Sequence, residues 1–295
     1  TRWFIILATL LSILGCSCCL TSTISKSEVS FQNGSELSKS ENSVLKQNAP
    51  SEFGKEHLKT KGNNIMKSEY MERFSLKGKV CIITGGGGLI GMKHAEAVME
   101  GEGIPVLLDI VPAGMERVKN ALQETYGDRP VETFVTDITK KEELMKIRDV
   151  LLEKYGHIDA LINNAANNPK VEGGSKNLNA TQFPEFPVDI WNADIAVGLT
   201  GAMLCAQVFG KVMEEQNKGV IINISSDYGI ISPDQRVYRK EGIPEEEQII
   251  KPVSYSVVKH GIMGLTKYLA VYWAQKGVRV NTLCPASLLN GQDEE

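Results

Sequence analysis

Tyr255 and Lys259 stand four residues apart in "YSVVK". That spacing puts both side chains on one face of a helix. A free phenol ionises near pH 10 (about 10), too high for easy proton exchange at neutrality. An ammonium held beside it favours the phenolate, lowers that value and makes Tyr255 a usable acid or base. A second stretch points to anion binding. "VCIITGGGGLIG" (Val80–Gly91) wedges four glycines between an apolar run and a segment of helical spacing. A linker would be flanked by polar residues. A strand–glycine–helix junction instead lets the backbone approach a pyrophosphate, which the N–H groups of the first helical turn then face. Asp109 ends the next apolar run, where a carboxylate bonds the ribose hydroxyls of a dinucleotide. It would repel the extra phosphate of NADP, so the expected cofactor is NAD, with NADP disfavoured. Gly85, Gly88 and Gly91 carry the spacing, and Gly86 and Gly87 read as filler where small substitutions are tolerated better than at Gly85 or Gly91.

The elements that must position these residues alternate strand and helix. Lys79–Thr84 is a continuous apolar run, as expected for a strand buried on both faces, and Ile104–Asp109, Val131–Asp137, Ile158–Ala165, Gly219–Ser226 and Val278–Pro285 read as five further strands. Helical patterns follow the glycine run and cover Ala113–Tyr126, Lys140–Tyr155, Asp189–Glu215 and Ser254–Gln275. This alternation predicts a single α/β domain, a doubly wound parallel sheet of the Rossmann type, over residues 73–295. Ahead of it, residues 1–20 are apolar enough for a secretory signal or short membrane anchor, or for an extraneous segment. Residues 21–72 are rich in Ser, Asn, Lys and Glu and read as a disordered linker, with start-like methionines at Met66 and Met71.

Composition narrows the classes. The chain has 295 residues, 42% of them hydrophobic, and a net charge of −4, which gives no general attraction to nucleic acid or anionic membrane. Membrane contact is expected only through residues 3–20, and otherwise a cytoplasmic protein. Cys16, Cys18 and Cys19 crowd together while Cys81, Cys205 and Cys284 are scattered in apolar runs, which is no disulfide framework. The four histidines lack metal-ligand spacing, so no metal is expected.

Three further stretches, "NNAA" (Asn163–Ala166), "NISS" (Asn223–Ser226) and the Tyr255–Lys259 pair itself, join the glycine run in one order along the chain. Together they resemble the short-chain dehydrogenase/reductase family from about Leu76 onward. The resemblance implies an enzyme that interconverts CH–OH and C=O groups with a nicotinamide cofactor. It implies that Ser226, rather than Ser225, bonds the substrate oxygen, that Tyr255 moves the proton, and that Lys259 tunes Tyr255 and bonds the nicotinamide ribose. It places Gly85, Gly88, Leu89, Ile90, Gly91, Asp109, Asp137, Ile138, Asn164, Ala165, Pro285 and Leu288 around the cofactor, with Asp137 at the adenine amine and Asn163 steadying the sheet. It also implies a homodimer or homotetramer built on the helices over Asp189–Glu215 and Ser254–Gln275.

This chain departs from the family pattern at several points. Leu89 stands where the commoner glycine pattern has its middle glycine, and the spacing found matches sugar-nucleotide-modifying members. Gly198 in "VGLTG" replaces an asparagine that helps hold a water in the proton relay. Pro285-Ala286 replaces Pro-Gly, and the sequence ends at Glu295, short of a further helix and strand found in relatives. Between Ser226 and Tyr255 lie 28 residues, more than is usual. That insertion leaves the carboxyl end of the sheet, where ligands bind. Its Arg236 and Arg239 suit recognition of an anionic or polyhydroxylated small-molecule substrate. The stretch from Ile231 through Asn281 looks closest to the flagellin modification protein A subgroup, oxidoreductases associated with bacterial surface-sugar biosynthesis. The expected activity is NAD-dependent interconversion of a secondary alcohol and a ketone on a sugar-like substrate. Two alternatives stay open: an epimerase or dehydratase that returns the hydride to the same substrate, and a non-catalytic NAD-responsive binding protein.

Overall fold

The computed structural model describes residues 75–167 and 182–286. The expected N-terminal segment, the linker and Leu288 lie outside the described residues. Six strands form one parallel sheet: β1 (Val80–Thr84), β2 (Ile104–Asp109), β3 (Glu132–Val135), β4 (Ala160–Asn163), β5 (Gly219–Ile224) and β6 (Val278–Leu283). Their spatial order is β3-β2-β1-β4-β5-β6, with all five pairings parallel. The order reverses between β1 and β4, so a crevice opens there at the carboxyl ends of the strands. The apolar runs are continuous because both faces of the sheet are covered.

Alternation along each strand splits the core in two. Ile82, Val106, Leu108, Leu161 and Ile221 face α3 (Lys141–Tyr155), α5 (Ala202–Glu215) and α6 (Val253–Tyr272). Ile83, Leu107, Ile162 and Ile222 face α1 (Leu89–Glu100) and α2 (Pro112–Tyr126). α2 begins with proline in its first turn, α3 carries Glu142 and Glu143 in its first turn, and Gly156 ends α3 in the left-handed conformation. The three free cysteines of the described residues, Cys81, Cys205 and Cys284, are buried in this packing.

One expected helix is not uniform. The run over Asp189–Glu215 is α4 (Val188–Ile195), a π-helical turn at Ala196–Gly201, and α5. Small residues explain the change. A Cβ on Gly198 would lie 2.5 Å from Val258 Cγ1 of α6, and one on Gly201 would lie 2.7 Å from Ile138 Cδ1. The wider turn therefore sits where two glycines allow neighbouring elements to press in. This run is apolar enough by length and composition to cross a membrane, yet half of its 18-residue apolar window is buried inside the protein, as in a core helix.

The insertion is ordered and holds itself in place. Two 3-10 turns, Gln235–Tyr238 and Glu245–Glu247, punctuate it. Gln248 is buried; its Nε2 donates to the Lys240 and Ile243 carbonyls at 2.9 and 2.7 Å, and its Oε1 accepts from the Lys240 N–H at 2.9 Å. Gln235 accepts the Lys251 N–H at 2.8 Å and donates to the Lys251 carbonyl at 3.4 Å. The insertion thus ends by gripping the residue that leads into α6.

Candidate active site

The crevice at the strand ends opens into a cleft of about 1040 Å³. Asp109 and Asp137 line it at the ends of β2 and β3, and Ser226, Tyr255 and Lys259 line it beyond β5 and on α6. Gly85, Gly88, Leu89, Ile90, Ile138, Asn164, Ala165 and Pro285 also line it, whereas Gly91 is buried in the first turn of α1 and does not.

The glycine run makes the tight junction between β1 and α1. Gly85 has φ +64°, a conformation that side chains rarely adopt. A Cβ on Gly91 would sit 2.2 Å from the Gly85 carbonyl oxygen. Gly88 precedes α1, no side chain caps its first turn, and no carboxylate lies in it. Those N–H groups and the helix dipole suit a bound anion. Gly86 and Gly87 are not filler. A Cβ on Gly86 would lie 2.8 Å from Leu107 Cβ on β2, and one on Gly87 would lie 2.9 Å from the Gly114 and Met115 backbone on α2. Gly88 has more room, its nearest contact being the Gly85 carbonyl at 3.3 Å. Spacing along the chain does not reveal which neighbours approach it.

Asp109 joins this loop. Its carboxylate accepts the Gly87 N–H and the Val111 N–H, both at 3.0 Å, and Arg117 donates to the Gly87 carbonyl at 2.8 Å. Asp137 accepts both the N–H and the hydroxyl of Thr139, and these bonds hold its carboxyl below the usual range. Asn164 donates to the Thr84 and Gly85 carbonyls at 2.9 and 3.2 Å, tying β4 to the glycine run. Asn163 donates to Asn223 Oδ1 at 2.8 Å, Asn223 to Thr266 Oγ1 at 2.9 Å, and Thr282 to Thr266 Oγ1 at 2.7 Å. This buried chain fastens α6, and with it Tyr255 and Lys259, to β4, β5 and β6.

At the other end the chemistry is arranged around Tyr255. Ser226 favours the ionised form of the Tyr255 phenol, and its hydroxyl donates to Asp227 Oδ1 at 2.6 Å. Ser225 faces inward instead, donating to the Lys259 carbonyl at 2.8 Å. Lys259 is buried, and its Nζ donates to the Ile224 carbonyl at 2.9 Å. Burial, with the Lys251 charge adding to it, lowers Lys259 to about 8. Tyr255 does not follow the expected direction. Burial raises its phenol above the usual value, and Asp227 and Tyr228 add to the rise. Desolvation of the phenolate outweighs the local hydrogen bond.

The sequence reading missed part of this wall. Lys251, Tyr228 and Tyr238 line the cleft beside Tyr255. Lys251 Nζ lies 3.8 Å from the centre of the Tyr255 ring, nearer than Lys259 Nζ at 5.6 Å. Helical spacing could not have found Lys251, because it precedes α6 and is placed by the insertion. Arg236 and Arg239 lie apart from the cleft lining, exposed and paired with Asp234 and Glu245. Behind Tyr255 and Lys259 a cavity of about 10 Å³ is lined by Asn167, Asp194, Gly198 and Val258. The Ser254 hydroxyl donates to Asp194 there. Of the second long loop near the site, residues 168–181 lie outside the described residues.

The short chain dehydrogenase family matches residues 79–239, and a second profile, enoyl-(acyl carrier protein) reductase, matches residues 243–291. A short chain dehydrogenase/reductase, dpfgG, of Gibberella zeae is 33% identical over 71% of this chain and 69% of its own length. The post-translational flagellin modification protein A of Campylobacter coli is 28% identical over 74% of this chain and 80% of its own length. Among solved structures, NAD+-bound xylitol dehydrogenase superposes with a TM-score of 0.59 at 26% identity, covering 73% of each chain. Fold, motif order and these likenesses agree: the chain belongs to the short-chain dehydrogenase/reductase family, nicotinamide-dependent oxidoreductases that act on CH–OH groups.

Proposed function

We propose that this protein interconverts a secondary alcohol and a ketone on a sugar-like substrate, using NAD. The observation that carries this reading is the grouping of Ser226, Tyr255 and Lys259 at one end of a cleft whose other end holds Asp109. When bound, the nicotinamide accepts or returns the hydride. Tyr255 takes the hydroxyl proton during oxidation, Ser226 bonds the substrate oxygen, and Lys259 supplies positive charge beneath the phenol. NAD is favoured over NADP because the Asp109 carboxylate is pinned by two backbone N–H groups and is followed by the apolar Ile110 and Val111. The likeness to xylitol dehydrogenase supports a polyol or sugar substrate, and that to flagellin modification protein A supports a role in surface-sugar biosynthesis. Such a role suits a cytoplasmic enzyme.

A homodimer or homotetramer is part of this reading. On α6, Tyr268, Val271 and Tyr272 are exposed by 66%, 79% and 61%, and the two tyrosine rings stack at 6.0 Å. A second copy would cover them.

Tyr255→Phe tests the assignment. It removes the proton-moving hydroxyl and keeps the ring, so turnover of a polyol should fall by about 10²–10⁴-fold. NAD affinity, measured by calorimetry, should stay within about threefold, well under the tenfold that 1.4 kcal/mol represents. Retained turnover would remove Tyr255 from the mechanism.

A further inference from the structure

The insertion and α6 together place one cationic side chain against the reacting end of the cleft. Lys251 is half-buried, its ammonium stands over the face of the Tyr255 ring at 3.8 Å, and Tyr228 and Tyr238 line the cleft with it. Its backbone is held on both sides by Gln235, so its position depends on the insertion. The Tyr238 hydroxyl donates to the Tyr228 hydroxyl at 3.1 Å, which fixes a second wall of polar groups.

We propose that the substrate carries an anionic group, a carboxylate or a phosphate, and that Lys251 receives it. This inference rests on the proposed dehydrogenase reading and adds a substrate class to it.

Several observations support it. A partly desolvated ammonium is disfavoured, and burial lowers Lys251 below its usual value, opposed only in part by Asp227. An anion arriving there restores what desolvation removes, and hydrogen bonds to charged partners are stronger than neutral ones. A neutral hydroxyl repays less. Lys259 adds a second positive charge to the same end. Around Tyr255 the charged and titratable groups are Asp227 and Tyr228 on the turn after β5, Tyr238 and Lys251 from the insertion, Lys259 on α6, and Asp194 of α4 across the small cavity behind. Asp194 accepts the Ser254 hydroxyl, and Asp227 Oδ1 accepts from both the Ser226 hydroxyl and the Tyr228 N–H. Arg236 and Arg239 pair with Asp234 and Glu245 away from the cleft lining, whereas Lys251 and Tyr238 line the cleft.

Matched substrates test this. The wild-type protein is assayed with NAD and D-glucitol, D-gluconate or D-glucitol 6-phosphate, and with the corresponding D-mannitol, D-mannonate and D-mannitol 1-phosphate set. These differ in charge on a shared carbon skeleton, and the two acidic arms separate carboxylate from phosphate. The expected result is kcat/KM at least tenfold higher for one acidic arm than for its neutral partner. Lys251→Met should raise KM for that acid at least tenfold more than for the neutral partner, and Lys251→Arg should restore most of the difference. Neutral and acidic members used equally well would overturn the inference while leaving the dehydrogenase reading intact. So would an equal loss on both in Lys251→Met with unchanged NAD affinity, since that marks an effect on Tyr255 alone. A wild-type protein that oxidises nothing in either set counts against the proposed function and takes this inference with it.

Discussion

At the scale of single residues, two glycines and one lysine behave differently from what spacing suggests. Gly86 and Gly87 meet β2 and α2 at distances that leave no space for a methyl group, whereas a Cβ on Gly88 would meet only the Gly85 carbonyl, at a tight 3.3 Å. Overpacking of this kind costs about 1–3 kcal/mol. Gly86→Ala and Gly87→Ala should therefore lower the melting temperature and weaken NAD binding more than Gly88→Ala, with Gly91→Ala the most severe. A tolerant Gly87→Ala would show that α2 gives way easily. Lys259 stores a cost of another sort. Its folded value of about 8 lies below its ordinary 10.5, so between those values the unfolded chain binds the extra proton. Stability from this group thus rises with pH across that window, and below about 8 the buried charge is a full burden. Lys259→Met should abolish turnover yet stabilise the protein near pH 7 by about 1–2 kcal/mol, after the loss of the bond to the Ile224 carbonyl is set against the relieved desolvation. Denaturant midpoints measured against pH check this, because the advantage of the methionine should shrink as pH rises from 8 to 10.5. An advantage independent of pH would mean the lysine is not desolvated.

At the scale of elements, the α6 helix and the π turn set the geometry of the site. Near-continuous apolar runs made the central strands legible, because parallel strands covered on both faces have no polar alternation to blur them. The edge strands β3 and β6 keep polar residues and were legible from their place in the strand–helix alternation. The shared helix face of Tyr255 and Lys259 was legible as a local spacing, whereas Ser226 was singled out only by the family resemblance. Three features were not. The π turn depends on what α6 places opposite Gly198, and the crowding at Gly86 and Gly87 depends on neighbours far along the chain. The raised phenol of Tyr255 depends on burial, which no spacing encodes. The place of Lys251 over the Tyr255 ring depends on how the insertion folds back onto Gln235, which no local spacing encodes. Gly198 provides the sharpest test at this scale. Restoring the family's asparagine there puts a Cβ 2.5 Å from Val258 Cγ1. Gly198→Asn should therefore destabilise the protein, and Val258→Ala in the same chain should recover much of that loss. Higher activity with unchanged stability would show that the π turn tolerates the usual residue.

At the scale of the whole molecule, the sheet order brings the loops proposed to hold the cofactor and the proposed catalytic groups to the two ends of one cleft, while α6 shows an apolar strip on its outer side. If copies pair through that strip, Val271→Glu should shift the protein to monomers in light scattering, and Tyr268→Glu should do the same. The central account, net hydride transfer governed by Tyr255, is tested most directly by following NADH during conversion of an acidic or neutral polyol. The account predicts one NADH formed per substrate consumed in the wild type and none above background in Tyr255→Phe. Substrate converted without any accumulation of NADH would contradict it and favour an epimerase or dehydratase that returns the hydride to its own substrate.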